Sequence, residues 1–289
     1  MWRALARAPQ VRTMASVRPR RTVHCSARLI ALDFDGVVCD SVGESAQSAF
    51  RAACLKWPEI FATEQALSRR PELLDKMRTV RPVVETGYEN VIMIRCLYEG
   101  TSCEDMLANW DQMLPQRMKE WKCDRSELVQ LFGKVRDDWI AEDVNDWLAP
   151  NSIYEGVPES LKAAMAADQL YIVTTKQATY TEILLRDMAG VALAPEHIFS
   201  QTISGRPKGE VLAMLASRHP DALDKIFVED KLSTLEKVCQ DSELHGWKLL
   251  LADWGYNTPE ERARAAGNTR IQVITRQQFH DLLAEGSEN

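Results

Sequence analysis

No stretch of this 289-residue chain approaches eighteen consecutive apolar residues, so hydropathy gives no membrane-spanning helix and no membrane partner is expected. Its seven cysteines (Cys25, Cys39, Cys54, Cys96, Cys103, Cys123 and Cys239) include no Cys-x-x-Cys pair and no zinc-type spacing. They read as reduced, mostly buried thiols, with Cys39 placed to be a redox-sensitive neighbour of the acids beside it. Internal repeats and low-complexity tracts are also absent. Acidic side chains are missing from residues 1–28, which hold seven Arg, and the remainder carries 28 basic against 42 acidic side chains. So acidic a body argues against a nucleic-acid partner. Any phosphate it binds has to be met by a few placed cations and a metal.

The acid-free, Arg-, Ser- and Thr-bearing head lacks the continuous apolar core of a secretory signal. It reads as an organelle transit peptide over 1–28, with Val23-His24-Cys25-Ser26-Ala27 favouring a chloroplast over a mitochondrial address. With 45% apolar residues, the rest of the chain is long enough for one large domain or two smaller ones.

The most informative stretch is RLIALDFDGVVCD, from Arg28 to Asp40. Leu29 to Leu32 is a short apolar run with the character of a buried strand, and Asp33 and Asp35 stand at its end before Gly36 breaks it. Residues i and i+2 of a strand project to the same side, so the two carboxylates start as neighbours whose repulsion a turn or a cation must relieve.

From Asp40-Ser41, a candidate helix cap, to about Ala149 the chain is helical in character. Four to six helices are expected, with boundaries at Trp57-Pro58, Arg70-Pro71, Arg81-Pro82 and Ala149-Pro150. Five tryptophans in this region (Trp57, Trp110, Trp121, Trp139 and Trp147) read as core. Beyond Ile153 the pattern becomes strand and helix in alternation. Strands are predicted at Gln169–Thr175, Ile198–Ile203, Asp224–Asp230, Trp247–Asp253 and Thr269–Thr275, and a helix runs from Thr179 to Gly190. This is an α/β fold with a parallel sheet. A simple crossover needs roughly thirty residues, whereas Asp35 and Thr174 lie far further apart than that. The excess forms an all-helical cap domain over 43–150, inserted into a core of 29–42 and 151–284.

Three later features fall at segment ends. Thr174 closes one strand, Lys208 opens a helix behind Gly205 and Pro207, and Glu229-Asp230 ends another strand with paired acids suited to a hard cation. In order, Asp33-x-Asp35-Gly36, Thr174, Lys208 and Glu229-Asp230 resemble the four motifs of the haloacid dehalogenase-like (HAD) hydrolases across residues 28–255. The inserted cap is similar to that of the phosphoglycolate-phosphatase-like branch. The resemblance implies a Rossmann-like core and a Mg2+-dependent phosphatase acting on a small phosphorylated metabolite. It casts Asp33 as the nucleophile that becomes an aspartyl-phosphate and Asp35 as general acid and then base. Thr174 and Lys208 would bind the phosphoryl oxygens, and Asp33, Asp35 through its carbonyl, Glu229 and Asp230 would surround the metal.

Two positions depart from the family pattern. Val37 replaces the usual Thr, and the fourth motif is the paired-acid form, with Thr234 and Leu235 where another Asp is common. Arg81, opening the segment Arg81–Glu89, is the candidate contact for a substrate anion, with Arg206 as a second. A phosphomutase on the same scaffold and a catalytically silent HAD-fold binding protein are the alternatives. No sequence feature specifies an oligomeric state.

Overall fold

The computed structural model describes residues 28–285. Strand β1 (Leu29–Leu32) ends at the acidic pair, and β2 (Cys39–Asp40) follows it. A helical insertion then runs through α1 (Val42–Lys56), α2 (Pro58–Phe61), α3 (Glu64–Val80), α4 (Glu89–Tyr98), α5 (Cys103–Glu120), α6 (Arg125–Glu142) and α7 (Val144–Leu148). The chain returns by β3 (Ser152–Ile153), α8 (Val157–Ala167), β4 (Gln169–Thr174), α9 (Ala178–Asp187), β5 (Ile198–Ser200), α10 (Gln201–Ser204) and α11 (Lys208–Arg218). It finishes with β6 (Lys225–Glu229), α12 (Leu232–Gln240), β7 (Trp247–Ala252), α13 (Pro259–Ala266), β8 (Ile271–Ile274) and α14 (Arg276–Ala284).

Six of these strands form one parallel sheet in the order β5-β4-β1-β6-β7-β8. β1 is central: Leu29 stands beside Gln169 on one flank and Lys225 on the other, so both of its neighbours end at the same edge as the acidic pair. Its four residues are fully buried because alternate side chains enter different layers. Ile30 and Leu32 join Ile172, Val228, Leu161 and Phe279 on one face, and Leu29 and Ala31 join Phe227, Leu251, Leu212 and Leu235 on the other. Sheet order then changes direction around β1, and in open α/β sheets ligands bind at the carboxyl ends of strands where the order reverses.

The insertion has its own apolar cluster, from Phe50 and Phe61 through Met77, Ile92 and Trp110 to Phe132. Its far end does not keep to the expected boundary. Trp139 on α6 and Trp147 on α7 bury within the sheet's cluster, beside Leu161 and Tyr180, so α6 is shared between the two bodies. Four of the five tryptophans in this region are buried and Trp121 is half-buried, packed edge-on to Trp57 with Arg95 over both rings. The entering and leaving chains pair with one another, Cys39 with Ile153 and Asp40 with Ser152, in a two-residue antiparallel ladder that the sequence reading does not contain.

Other expectations shift in detail. α3 runs through Pro71 instead of stopping at Arg70. Thr63 caps its start by accepting from Ala66 N, and Ala66, Leu73, Met77 and Val80 bury one face while Pro71 stays on the exposed side, so packing outweighs the lost backbone bond. The strand expected at Ile198–Ile203 stops at Ser200, because its only partner, β4, ends at Thr174 opposite it. α9 ends at Asp187, short of Gly190. The expected transit peptide lies outside the described residues apart from Arg28. That residue is folded, with its guanidinium on both oxygens of Asp168 and on Leu282 O.

Candidate active site

Asp33 leaves β1 at the carboxyl edge of the sheet and is 5% exposed. Lys208, the first residue of α11, brings its ammonium to 2.8 Å from Asp33 Oδ1 and 2.7 Å from Glu229 Oε2. Glu229 and Asp230 close β6, the strand beside β1. Ligand atoms of Asp33, Glu229 and Asp230 lie within 4.8 Å of one another, all three residues being buried. Gly36 makes this approach possible. Its φ is +90°, and a Cβ there would sit 2.0 Å from Asp230 Oδ2.

Three buried carboxylates around one lysine make a charge-deficient site. Burial pushes Asp33 up to about 7, against Lys208, which draws it down, and the Glu229 charge, which adds to the rise. Burial likewise raises Glu229 to about 7, opposed by Lys208 and aided by Asp230, and Asp230 is raised for the same first reason. Burial would lower Lys208, but Asp33 and Glu229 outweigh it and hold its proton firmly.

The donor set fits a hard divalent cation. Asp33 Oδ1 has its ion pair with Lys208 but accepts no hydrogen bond of good geometry, and oxygen-only carboxylate sites with surplus negative charge suit Mg2+. The acids are not equivalent, however. Glu229 has both oxygens engaged, Oε2 by Lys208 and Oε1 by the N–H groups of Asp230 and Lys231. Asp230 is held by Tyr256 N–H on Oδ2 at 2.7 Å.

Asp35 has a different environment. Ser41 Oγ donates to its Oδ1 at 2.5 Å and Lys176 Nζ reaches the same oxygen at 3.3 Å. Burial alone would raise its pKa, but Lys176, Arg81 and the Ser41 hydroxyl outweigh burial and lower it. Two carboxylates two residues apart are thus pushed in opposite directions. Ser41 occupies the N-cap of α1 as expected from sequence, yet its hydroxyl serves Asp35 and not the helix.

Behind Asp35 lies a buried charge network. Lys176 stands 3.6 Å from Glu44 Oε2, and Arg136 donates to both oxygens of Glu44 at 2.7 and 2.8 Å, with Ser48 Oγ donating to Oε1 at 2.7 Å. Glu44 and Arg136 come from the helical insertion and Lys176 from the sheet, so the network ties the two together at the site. Sequence reasoning missed all three. Lys176 carried a usable signal, since it lies two residues beyond a strand end at the same edge as Asp33. Glu44 carried a weaker one, as an acid among the small residues of α1.

Thr174 is buried at the end of β4, where its Oγ1 accepts from Lys176 N–H at 3.1 Å. Among the described residues no hydrogen bond joins it to Asp33. Arg81 is brought to the site: it opens the single 3-10 turn Arg81–Val83, stacks 4.1 Å from the Tyr256 ring and lines the cavities on both sides of Asp35. Its Nη1 donates to Val84 O, and its buried Nε has no partner. Arg206 is not brought in. It is exposed and turned to Met214 Sδ, outside either cavity. Cys39 is fully buried and its thiol is pushed up by burial, which removes the thiolate that redox sensitivity requires.

The insertion is clasped over the site. Lys231 Nζ donates to Pro82 O, Thr175 Oγ1 to Glu85 O at 3.3 Å, and Arg78 pairs with Asp40 at 2.9 Å. Two cavities open beneath it. One of about 240 Å3 holds Asp33, Lys208, Glu229 and Asp230, and one of about 630 Å3 extends from Asp35 toward α4 and α6.

Solved structures share this arrangement. A predicted phosphoglycolate phosphatase from Haemophilus somnus superposes with a TM-score of 0.53 at 15% identity, over 90% of this chain and 98% of that one. A haloacid dehalogenase-like family hydrolase from Streptococcus pneumoniae gives the same TM-score, identity and coverage. A predicted phosphatase from Clostridium acetobutylicum gives 0.51 at 13% identity, over 90% and 99%. The chain has the haloacid dehalogenase-like hydrolase fold. No protein-family model matches it, and no curated protein does. At these identities the likeness rests on the course of the backbone, insertion included.

Proposed function

We propose that this protein is a Mg2+-dependent phosphatase that hydrolyses a small phosphorylated metabolite through an aspartyl-phosphate on Asp33. The observation that carries the reading is convergence. Asp33, Lys208, Glu229 and Asp230 come from three separate segments and meet at one sheet edge, with Asp35 beside them.

Phosphoryl transfer spreads negative charge over the equatorial oxygens, so catalysis is positioning plus electrostatic compensation. Asp33 supplies the attacking oxygen, held in place by the Lys208 ion pair. Lys208 faces the transferred oxygens, with Glu229 orienting its ammonium. The Thr174 hydroxyl, which accepts from Lys176 N–H, keeps its own proton to donate to a phosphoryl oxygen. Asp35, which Lys176 and Arg81 favour as the carboxylate and which must therefore take up a proton first, gives that proton to the leaving oxygen and then takes one from the water that cleaves the acyl-phosphate. Ser41 and Lys176 fix its carboxylate for both steps. Asp33, Asp230 and the Asp35 carbonyl are the groups that would hold Mg2+, which supplies positive charge to the phosphoryl oxygens when bound. The helical insertion acts as a cap that excludes water from the site and selects the substrate.

The test is phosphate release with Mg2+ over a metabolite panel, run on the wild type, Asp33→Asn and Asp35→Asn. Asp33→Asn is expected to lose at least about a thousandfold in kcat. Equal turnover by all three proteins would contradict the mechanism.

A further inference from the structure

The larger cavity says what kind of alcohol leaves. It begins at Asp35, the proposed proton donor to the leaving oxygen, and its 630 Å3 falls in the range of roughly 300–1,000 Å3 typical of pockets for drug-sized ligands. A two-carbon acid would occupy only a corner of it.

Its walls select for chemistry as well as size. Asn90, Gln130, Gln177, Gln201, Thr86 and Thr175 line it, although Asn90 donates to Gly87 O, the Thr86 hydroxyl to Glu89 and the Thr175 hydroxyl to Glu85 O. The side chains of Gln130, Gln177 and Gln201 make no hydrogen bond with any described residue. Carboxamides both donate and accept, which matches alcohol hydroxyls that do the same. The aromatic rings at this cavity are already covered. Arg136 lies 4.1 Å over Phe132, whose edge is crowded against Gly87, and Arg125 lies 5.4 Å over Tyr88. Phe132 and Tyr88 are also only 3% and 8% exposed, so little ring surface is open to a flat heteroaromatic base, for which stacking is the usual means of holding. Of the charged groups at the inner wall, Arg136 and Lys176 are paired with Glu44 and Asp35, and Arg81 sits at the end that borders Asp33 and Asp35.

We propose that the substrate is a sugar phosphate, a phosphate monoester whose leaving group is a polyhydroxylated alcohol of about hexose size, read by the carboxamides of Gln130, Gln177 and Gln201. This rests on the phosphatase reading above and narrows it. In the reaction, an Asp33 oxygen bonds to phosphorus as the bond from phosphorus to the sugar oxygen breaks, and the sugar leaves with a proton delivered by Asp35; water then gives a proton back to Asp35 and displaces the phosphoryl group from Asp33 as inorganic phosphate.

The test compares kcat/KM with Mg2+ for glucose 6-phosphate, mannose 6-phosphate, 2-phosphoglycolate, adenosine 5′-monophosphate and the generic ester p-nitrophenyl phosphate. One of the hexose phosphates is expected to exceed both phosphoglycolate and the nucleotide by at least tenfold. Gln177→Leu is expected to lower kcat/KM for that sugar phosphate about tenfold more than for p-nitrophenyl phosphate. A preference for phosphoglycolate or the nucleotide, or equal losses on both esters in Gln177→Leu, overturns the proposal. Absence of turnover on every ester, p-nitrophenyl phosphate included, defeats the phosphatase reading instead. In that case calorimetric titration of Asp33→Asn with the same hexose phosphates decides the substrate class: saturable binding that Gln177→Leu weakens supports it, and no binding refutes it.

Discussion

The residue that separates stability from catalysis most cleanly is Glu44. It is fully buried, and while burial would raise its pKa, Arg136 and Lys176 outweigh that and lower it. A carboxylate whose folded pKa lies below its unfolded value near 4.3 contributes stability that is complete above that value and disappears as pH falls through the folded one. Glu44→Gln is therefore expected to flatten the acid limb of the stability profile. It should also cost about 3–5 kcal/mol at neutral pH by leaving buried Arg136 without a carboxylate and Lys176 with Asp35 alone, as urea unfolding from pH 3 to 7 would show. The metal side of the site runs with the opposite sign. Burial raises Asp33 to about 7 and raises Asp230 as well, so a cation competes with protons at its carboxylate ligands and its affinity should rise with pH. Mg2+ is expected to raise the Tm more at pH 8 than at pH 6, approaching about 2.7 kcal/mol at a hundredfold excess over its Kd. Asp230→Asn is expected to abolish the increment, and a pH-independent shift would count against the assigned ligands.

The candidate site was unevenly legible at this scale. Asp33, Lys208 and Asp230 could be read because each stands at the end of a strand or the start of a helix on a known edge, where the sequence announces both the element and its terminus. Glu44, Arg136 and Ser41 could not be read. Their roles depend on separate elements meeting, α1 against α6 across 92 positions in the case of Glu44 and Arg136, and no local pattern encodes that meeting. The engagement of Glu229 by Lys208 and two backbone N–H groups is similarly invisible in a pair of adjacent acids.

Among the elements, the parallel strands were legible because a strand buried on both faces must be apolar without interruption, as Leu29–Leu32 and Ile226–Val228 are. Their ends were less so, since β5 stops where its partner stops and not where its own residues lose strand character. α3 shows the limit of a local rule. Pro71 forbids one backbone hydrogen bond but leaves Thr63 capping the start and Leu73 and Met77 in the core. Pro71→Ala is expected to restore that bond. It should stabilise the protein by about 2 kcal/mol after allowing for the looser unfolded chain, measured by chemical denaturation. No change would mean that the bond lost at Pro71 is already compensated within the insertion.

For the whole molecule, the one-strand-then-insertion layout followed from distance along the chain alone, whereas the sharing of α6 did not. Trp139 and Trp147 fasten the end of the insertion to the sheet while Trp110 and Phe132 belong to the helices, and nothing in the spacing of tryptophans distinguishes those destinations. The Arg-rich head, which the sequence reads as an organelle address, is tested separately from the fold. Fused to a fluorescent protein, residues 1–28 are expected to direct it to plastids, and a cytosolic signal would remove that reading.

The short ladder of Cys39 and Asp40 with Ile153 and Ser152 makes the two covalent links to the insertion behave as one. The covalent connection between the helices and the sheet edge thus passes through one paired ribbon, and Ser41, the next residue along it, hydrogen-bonds Asp35. Departure of the insertion would thus tug at the hydroxyl that holds Asp35, so that under the proposed mechanism opening and loss of proton transfer would come together.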